Sequence, residues 1–398
     1  MPTLRRDRSD EQRVTNIELF FDLVYVFAVT QLSHHLLGDP TVGGAFQTVL
    51  LLAMVWLVWS YTTWVTNWLD PEMMAVRLLL VVLMLISLAM STALPRAFTD
   101  LGLIVGGTYA VMQVGRSVFM VVVLRGDQLR ANFERILVWC VASGALAVAG
   151  GLVHGHARWI LWLLAAGVDF AGGIVGFVTP GLGKSHTSDW DISGGHFAER
   201  CQAFILIALG ESIVTIGTVL TGSRITGANV TSFVVAFVGA VALWWLYFDR
   251  SAAAGASVIS ASDDPGRLGR SAYHFIHPVM VAGIIVCAAA DDLVLTHPGE
   301  VSSTATGWMI LGGPALFLAG HVAYKRVVWG YLPRPRIAGV VGLAMLGPAA
   351  SAMPRLALGV SACLVVVAVA ISDYIPALAG HPVLAEQRVA EDPPVRQG

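Results

Sequence analysis

Twelve stretches of about 20 predominantly apolar residues follow one another along the chain, each long enough to cross the hydrocarbon core of a bilayer as a helix. They run at about 17–37, 45–67, 75–94, 99–124, 135–153 and 158–178, then 197–220, 229–249, 270–290, 303–324, 337–353 and 355–376. The breaks between them carry helix punctuation, as at Gly38-Asp39-Pro40, Asp70-Pro71, Thr179-Pro180 and Pro333-Arg334-Pro335. The eleventh stretch is short and contains both Gly and Pro. Composition agrees with this reading, since 56% of the 398 residues are hydrophobic and 13% are charged, about half the charge of a soluble domain. No soluble fold can hide so much apolar surface. Soluble enzymes, nucleic-acid binders and disordered scaffolds are excluded for the chain as a whole. The expected fold class is an all-α membrane protein of about twelve transmembrane helices, partnered by the lipid bilayer and not by nucleic acid.

Basic residues collect in cytoplasmic loops, which tests the span count independently. With the N-terminus inside, 19 of the 24 Lys and Arg residues fall on the cytoplasmic side. Arg96, Arg158, Arg224 and Arg355 fall outside, each alone in its loop, and Arg116 lies within a span. One miscounted helix in the middle would destroy that asymmetry. Both termini are therefore expected in the cytoplasm. The first sixteen residues are polar and the next apolar stretch carries acids without a cleavage-site pattern, so no signal peptide is expected.

The expected organisation is a cytoplasmic segment 1–16, a six-helix half 17–178, a cytoplasmic loop 179–196, a second six-helix half 197–376 and a cytoplasmic tail 377–398. Because six is even, two such halves would be parallel repeats about an axis along the membrane normal. Faint echoes support duplication: Glu18 and Glu199 open spans one and seven, and Trp59-Ser60-Tyr61 and Trp245-Leu246-Tyr247 close spans two and eight.

Ionisable residues inside spans cost about 2.5–3.5 kcal/mol each at a helix centre, so each needs a partner or a purpose. Glu18 and Asp22 lie one turn apart on one face of span one, and Tyr25, Val29 and Ser33 continue that stripe. Glu18 is close enough to the helix start for the dipole to favour its charge, and Asp22 lies deeper. Glu211 falls near mid-membrane in span seven, where Gly210 offers room for another helix. Asp169 is similarly deep in span six. Arg116 in span four is the expected counter-ion to one of these acids, since an unpaired buried charge is far costlier. Glu199 and Arg200 at the start of span seven are secondary candidates. So are His274 and His277, three residues apart at the start of span nine, where interfacial packing competes with proton handling. The loop residues His186, Asp189, Asp191 and His196 have metal-capable side chains in a Gly/Ser-rich setting that reads as a solvated loop. Trp56, Trp59, Trp64, Trp68, Trp244 and Trp245 read as interface belts and packing.

Four isolated cysteines, Cys140, Cys201, Cys287 and Cys363, form no disulfide or zinc pattern. There is no nucleotide loop, zinc-protease helix or serine elbow. No metal, no cofactor and no enzymatic activity are expected.

The run Val14-Thr15-Asn16-Ile17-Glu18-Leu19-Phe20-Phe21-Asp22-Leu23-Val24-Tyr25 closely resembles the signature of the bacterial low temperature requirement protein A family. Ala208-Leu209-Gly210-Glu211-Ser212-Ile213 resembles a second hallmark of that family, and the resemblance covers about residues 10–380. It implies a multi-pass protein of a bacterial membrane, in a family named for growth in the cold and without an established substrate. Phe20-Phe21-Asp22 is also similar to a Phe-Ser-Asp motif in the first span of a potassium-channel family that duplicates a six-helix unit. This chain has Phe21 where that motif has Ser, and Asn16 where it has Arg.

Acids concentrated inside the spans, joined by very small loops, point to a secondary transporter or channel-like conduit coupled to a proton or small cation. Alternatives are a membrane-embedded enzyme or lipid-modifying protein, and a structural or sensory protein without turnover.

Two expectations follow from the sequence. Reporter fusions after Arg130 and Arg267 should read cytoplasmic and fusions at Asp39 and Gly299 external; a cytoplasmic signal at Gly299 would refute the twelve-span count. If Glu211 couples protons, Glu211→Gln should abolish activity and its pH dependence, while Glu211→Asp keeps part of both. A fully active Glu211→Gln variant with an unchanged pH profile would make it a packing residue.

Overall fold

The computed structural model describes residues 4–6, 13–186, 190, 192–222, 225–249 and 251–375. Asp189, Asp191, the tail 377–398 and five of the counted arginines (Arg8, Arg224, Arg250, Arg388 and Arg396) lie outside the described residues. Among the described residues the chain is helical, with isolated bridges and no strand.

The first half of the chain forms α1 (Asn16–Gly38), α2 (Val42–Trp68), α3 (Met74–Ala93), α4 (Gly102–Val123), α5 (Arg130–Leu152) and α6 (His156–Val175). The second forms α7 (Gly194–Gly222), α8 (Gly227–Phe248), two short helices α9 (Ser251–Ser260) and α10 (Pro265–Leu268), then α11 (His277–Thr296), α12 (Thr304–Trp329), α13 (Arg334–Ala350) and α14 (Arg355–Ser372). Eleven helical runs among the described residues are long and apolar enough to span a membrane, with α8 continuing into α9 and α10 into α11. The twelfth candidate, α13, has 17 residues and an internal Pro348, as the Gly and Pro of the eleventh stretch foreshadowed. The all-helical, multi-pass architecture read from the sequence is the one observed.

One boundary differs in a way that matters. A π-helical stretch, Gly269–Ile276, precedes α11, and the regular helix then runs on to Thr296. The apolar window stopped at 290 because Asp291 and Asp292 follow, whereas the helix continues through both. Arg158, expected alone in an outer loop, is 1% exposed near the start of α6. Its guanidinium donates to the carbonyls of Gly150, Val153, Ala97 and Thr99. It therefore satisfies carbonyls that the end of α5 and the turn before α4 leave open.

The chain packs as two compact units, one of residues 1–35, 43–200 and 264–270, the other of 36–42, 201–263 and 271–398. One of the breaks between the units falls within α7, after Arg200. In the first unit α4 packs against α3 and α5, and α5 against α6. In the second α12 packs against α11, α13 and α14, and α8 against α14. Glycine permits the closest of these approaches: a Cβ at Gly106 of α4 would lie 2.1 Å from the Ala147 carbonyl oxygen of α5. Gly210 behaves otherwise, because a Cβ there would meet nothing within 4 Å. Among the described residues, the room expected beside Glu211 is not taken up by another helix.

In α1 the usual amphipathic pattern is inverted. Leu19, Phe20 and Leu23 are exposed, while Glu18, Asp22, Tyr25, Val29 and Ser33 are buried. The polar stripe read from the sequence faces the protein interior, leaving the apolar face for lipid.

Gly106→Ala should destabilise the protein by about 1–3 kcal/mol through overpacking, whereas Gly107→Ala, whose Cβ meets no neighbour within 4 Å, should not. Thermal unfolding of the two variants in detergent checks this; equal stability would contradict the α4–α5 contact.

Candidate functional site

The start of α1 builds the first half of the site. Thr15 precedes the helix, its carbonyl accepts from the amides of Glu18 and Leu19, and the Glu18 carboxylate accepts from the Thr15 amide at 2.9 Å. Only the Glu18 half of a capping box forms in Thr15-Asn16-Ile17-Glu18, because Thr15 Oγ1 donates to the same Glu18 Oε2 at 2.9 Å instead of accepting from the Glu18 amide. The same Oε2 accepts from Arg6 at 2.6 Å, while Oε1 accepts from His196 Nε2 at 2.9 Å and from Arg200 at 3.1 Å. One turn on, Asp22 receives both ends of the Arg200 fork, Nε to Oδ2 at 2.8 Å and NH2 to Oδ1 at 2.6 Å. Trp59 Nε1 donates to Oδ1 at 2.7 Å, and Arg200 also donates to Thr66 Oγ1 at 3.1 Å.

Glu18, Asp22, His196 and Arg200 are all 0% exposed. A fork-on-carboxylate pair is the geometry that makes burying two charges tolerable, because both hydrogen-bonding edges are used. His196 has a defined tautomer. Asn67 Nδ2 donates to its Nδ1, so Nε2 carries the proton given to Glu18. With His196 neutral, Arg6 and Arg200 balance Glu18 and Asp22, and the set carries no net charge.

A second polar set lies in the same unit. Tyr109, Gln113 and Arg116 occupy one face of α4 at intervals of four and three residues. Tyr109 OH and Gln113 Nε2 both donate to Asp169 Oδ2, the latter at 2.6 Å, and Arg116 donates to Gln113 Oε1. Arg116 is thus the partner of Asp169, as the sequence left open, but through the Gln113 amide instead of a direct ion pair. Its other donors reach the Val58 carbonyl and Thr62 Oγ1 at 3.2 Å each, and its guanidinium lies 5.2 Å from the Tyr61 ring centroid. Tyr61 OH closes the circuit on the Asp169 carbonyl at 3.0 Å.

Helix α2 serves both sets, through Trp59 and Thr66 on one side and Val58, Tyr61 and Thr62 on the other. Trp56, Trp59 and Trp68 are fully buried, so these belong to the interior and not to an interface belt. Trp244 and Trp245, at 40% and 41% exposure, fit the belt reading.

The remaining expected residues are dispersed. Glu199 is exposed and accepts from the Val14 amide at 3.2 Å. Glu211, in the second unit, is 2% exposed and accepts from Thr215 Oγ1 one turn on at 3.1 Å. His277 is buried, donates from Nδ1 to the Ala272 carbonyl and accepts from Tyr247 OH at 2.7 Å. Its ring stacks on Tyr273, which fits packing better than proton handling. His274 is buried beside it in the π-helical stretch. His186 is exposed, while His196 is the ion-cluster member just described. Among the described residues no three His, Cys, Asp or Glu side chains converge as metal ligands would.

Trp59, Thr66, Asn67, Tyr109 and Gln113 were not singled out by sequence as site residues. The spacing of Tyr109, Gln113 and Arg116 was the signal available for two of them. His196 and Arg200, one turn apart at the opening of α7, were a second signal.

Comparison with known proteins places the chain. The bacterial low temperature requirement A protein family matches residues 13–371. An uncharacterized protein, RA0937, of Rhizobium meliloti (strain 1021) is 38% identical over 339 residues, which are 85% of this chain and 83% of that protein. No solved structure matches. With most of its length covered by both, the chain belongs to the bacterial low temperature requirement A family.

Proposed function

We propose that the protein is a secondary transporter or channel-like conduit of the bacterial cytoplasmic membrane, with both termini inside, that moves a proton or small cation. The buried charge set of Glu18, Asp22, Arg200 and Arg6 is its working part. One observation carries this reading: Glu18, Asp22 and Arg200, at 0% side-chain exposure, lie within helices of membrane-spanning length, and Arg6 of the N-terminal segment, at 8%, completes the charge balance. Such a set is expensive to bury, and an apolar replacement of equal volume is often neutral or stabilising. Its presence in a lipid-facing protein is therefore best explained by use.

The chemistry is that of a poised neutral assembly. A proton arriving at Asp22 removes one of the two carboxylates that hold Arg200, and the set goes from zero to +1. Arg200 then has Glu18 and Thr66 left, and the α1–α7 tie is weakened on one side. The Asp169–Gln113–Arg116 chain offers a second acid in the same unit whose oxygen already accepts from Tyr109. A cycle of this kind needs no cofactor and no bond chemistry.

Variants separate this role from mere packing. Arg200→Gln alone leaves two carboxylates short of a cation and should cost about 3–5 kcal/mol of stability. The double variant Asp22→Asn/Arg200→Gln removes one charge of each sign and should recover folded membrane yield. In proteoliposomes with a pH-sensitive interior dye, that double variant should lose flux. A well-folded double variant that carries ions at the wild-type rate and pH profile would overturn the reading.

A further inference from the structure

Asp291 lies outside the ion networks described above. It occupies the membrane-length helix α11, and among the described residues its carboxylate has no hydrogen-bond or ion-pair partner. It lines a cavity of about 60 Å³ within the second unit, formed between α7, α8, α11, α12 and α14. A water molecule needs roughly 10–15 Å³ measured this way, so the space exceeds a single solvent site. Most of the wall is apolar, including Leu243, Val294 and Val366.

Two further acceptors stand at the same wall. Ser212 is 2% exposed, and its Oγ has no hydrogen-bond partner although it lines the cavity. A buried hydroxyl without a partner costs about 1–3 kcal/mol, so a ligand that hydrogen-bonds Ser212 Oγ is favoured here. Pro314 lies inside α12 and has no N–H to give the Ile310 carbonyl one turn back, and both residues line the cavity. The thiol of Cys363, also at this wall, is already turned to the Val235 carbonyl.

We infer that this cavity binds a primary alkylammonium ion, its –NH3+ group meeting Asp291, Ser212 and the Ile310 carbonyl and its hydrocarbon body filling the apolar part. The match is one of donor number. An ammonium has three donors and no acceptor, and the wall offers a carboxylate, a hydroxyl and a carbonyl freed by proline. A hard inorganic cation would ask for six or more oxygens, more than these groups supply. The inference stands on the cavity alone and does not depend on transport, so its test is a binding measurement.

Full-length protein in lipid nanodiscs is titrated with n-butylammonium by calorimetry, alongside n-butanol, tetramethylammonium, sodium and potassium. Saturable binding of n-butylammonium is expected, with at least tenfold weaker binding of the other four. Asp291→Asn, isosteric and uncharged, should weaken n-butylammonium at least tenfold, and Ser212→Ala severalfold. Gly239→Leu fills the cavity from its wall without touching a polar group and should abolish binding. Equal binding of n-butanol would identify an apolar or lipid-filled cavity and overturn the proposal. Sodium or potassium binding as tightly as n-butylammonium, or unchanged affinity in folded Asp291→Asn, would overturn it as well.

Discussion

Arg200 is the side chain on which the first unit's interior depends. Its guanidinium holds Asp22 by two hydrogen bonds and reaches Glu18 and Thr66 with the remaining donors. In hydrocarbon an isolated guanidinium is among the costliest groups to bury, and neither acid could stay ionised there alone. Each member is tolerable only because the others are present. That mutual dependence fixes α1 against the start of α7 in one register, and it turns the polar stripe of α1 inward. Lipid receives Leu19, Phe20 and Leu23 instead.

The demand for complete hydrogen bonding spreads outward from this centre. Trp59 and Thr66 on α2 complete the Arg200 cluster, and Val58, Tyr61 and Thr62 on the same helix complete the Arg116 cluster. Asn67 continues the pattern by bonding both His196 and the Ser193 backbone. A transmembrane helix that is polar along so much of one end can exist only at the middle of its unit. The burial of nearly all of α2 from Leu50 to Trp68 is the consequence.

Much of this was legible in the sequence, for physical reasons. Apolar runs of membrane length fix the helices, and period-3.6 spacing placed Glu18, Asp22, Tyr25, Val29 and Ser33 on one buried face. Asp169 and Arg116 were recognised as costly groups in need of partners. Their mediator, Gln113, escaped because a neutral amide is not expensive enough to attract notice. His196 was read into the polar loop and Arg200 as a secondary candidate at the start of span seven, whereas α7 begins two residues before His196 and carries both. Asp291 was excluded by hydropathy itself, since an acid ends an apolar window even where the helix goes on. Gly210 was read as a packing residue by analogy with other small residues, whereas among the described residues a Cβ there would meet nothing within 4 Å. Sequence thus identifies which groups are costly, and the three-dimensional arrangement determines which of them satisfy one another.

The central claim is that these buried charges serve the passage of a proton or small cation. It is tested most directly by flux through the unmodified protein in sealed proteoliposomes, with imposed gradients of protons, sodium and potassium in turn. The account predicts saturable, protein-dependent dissipation of at least one gradient above that of empty liposomes. Folded, correctly inserted protein that dissipates none of the three would contradict it.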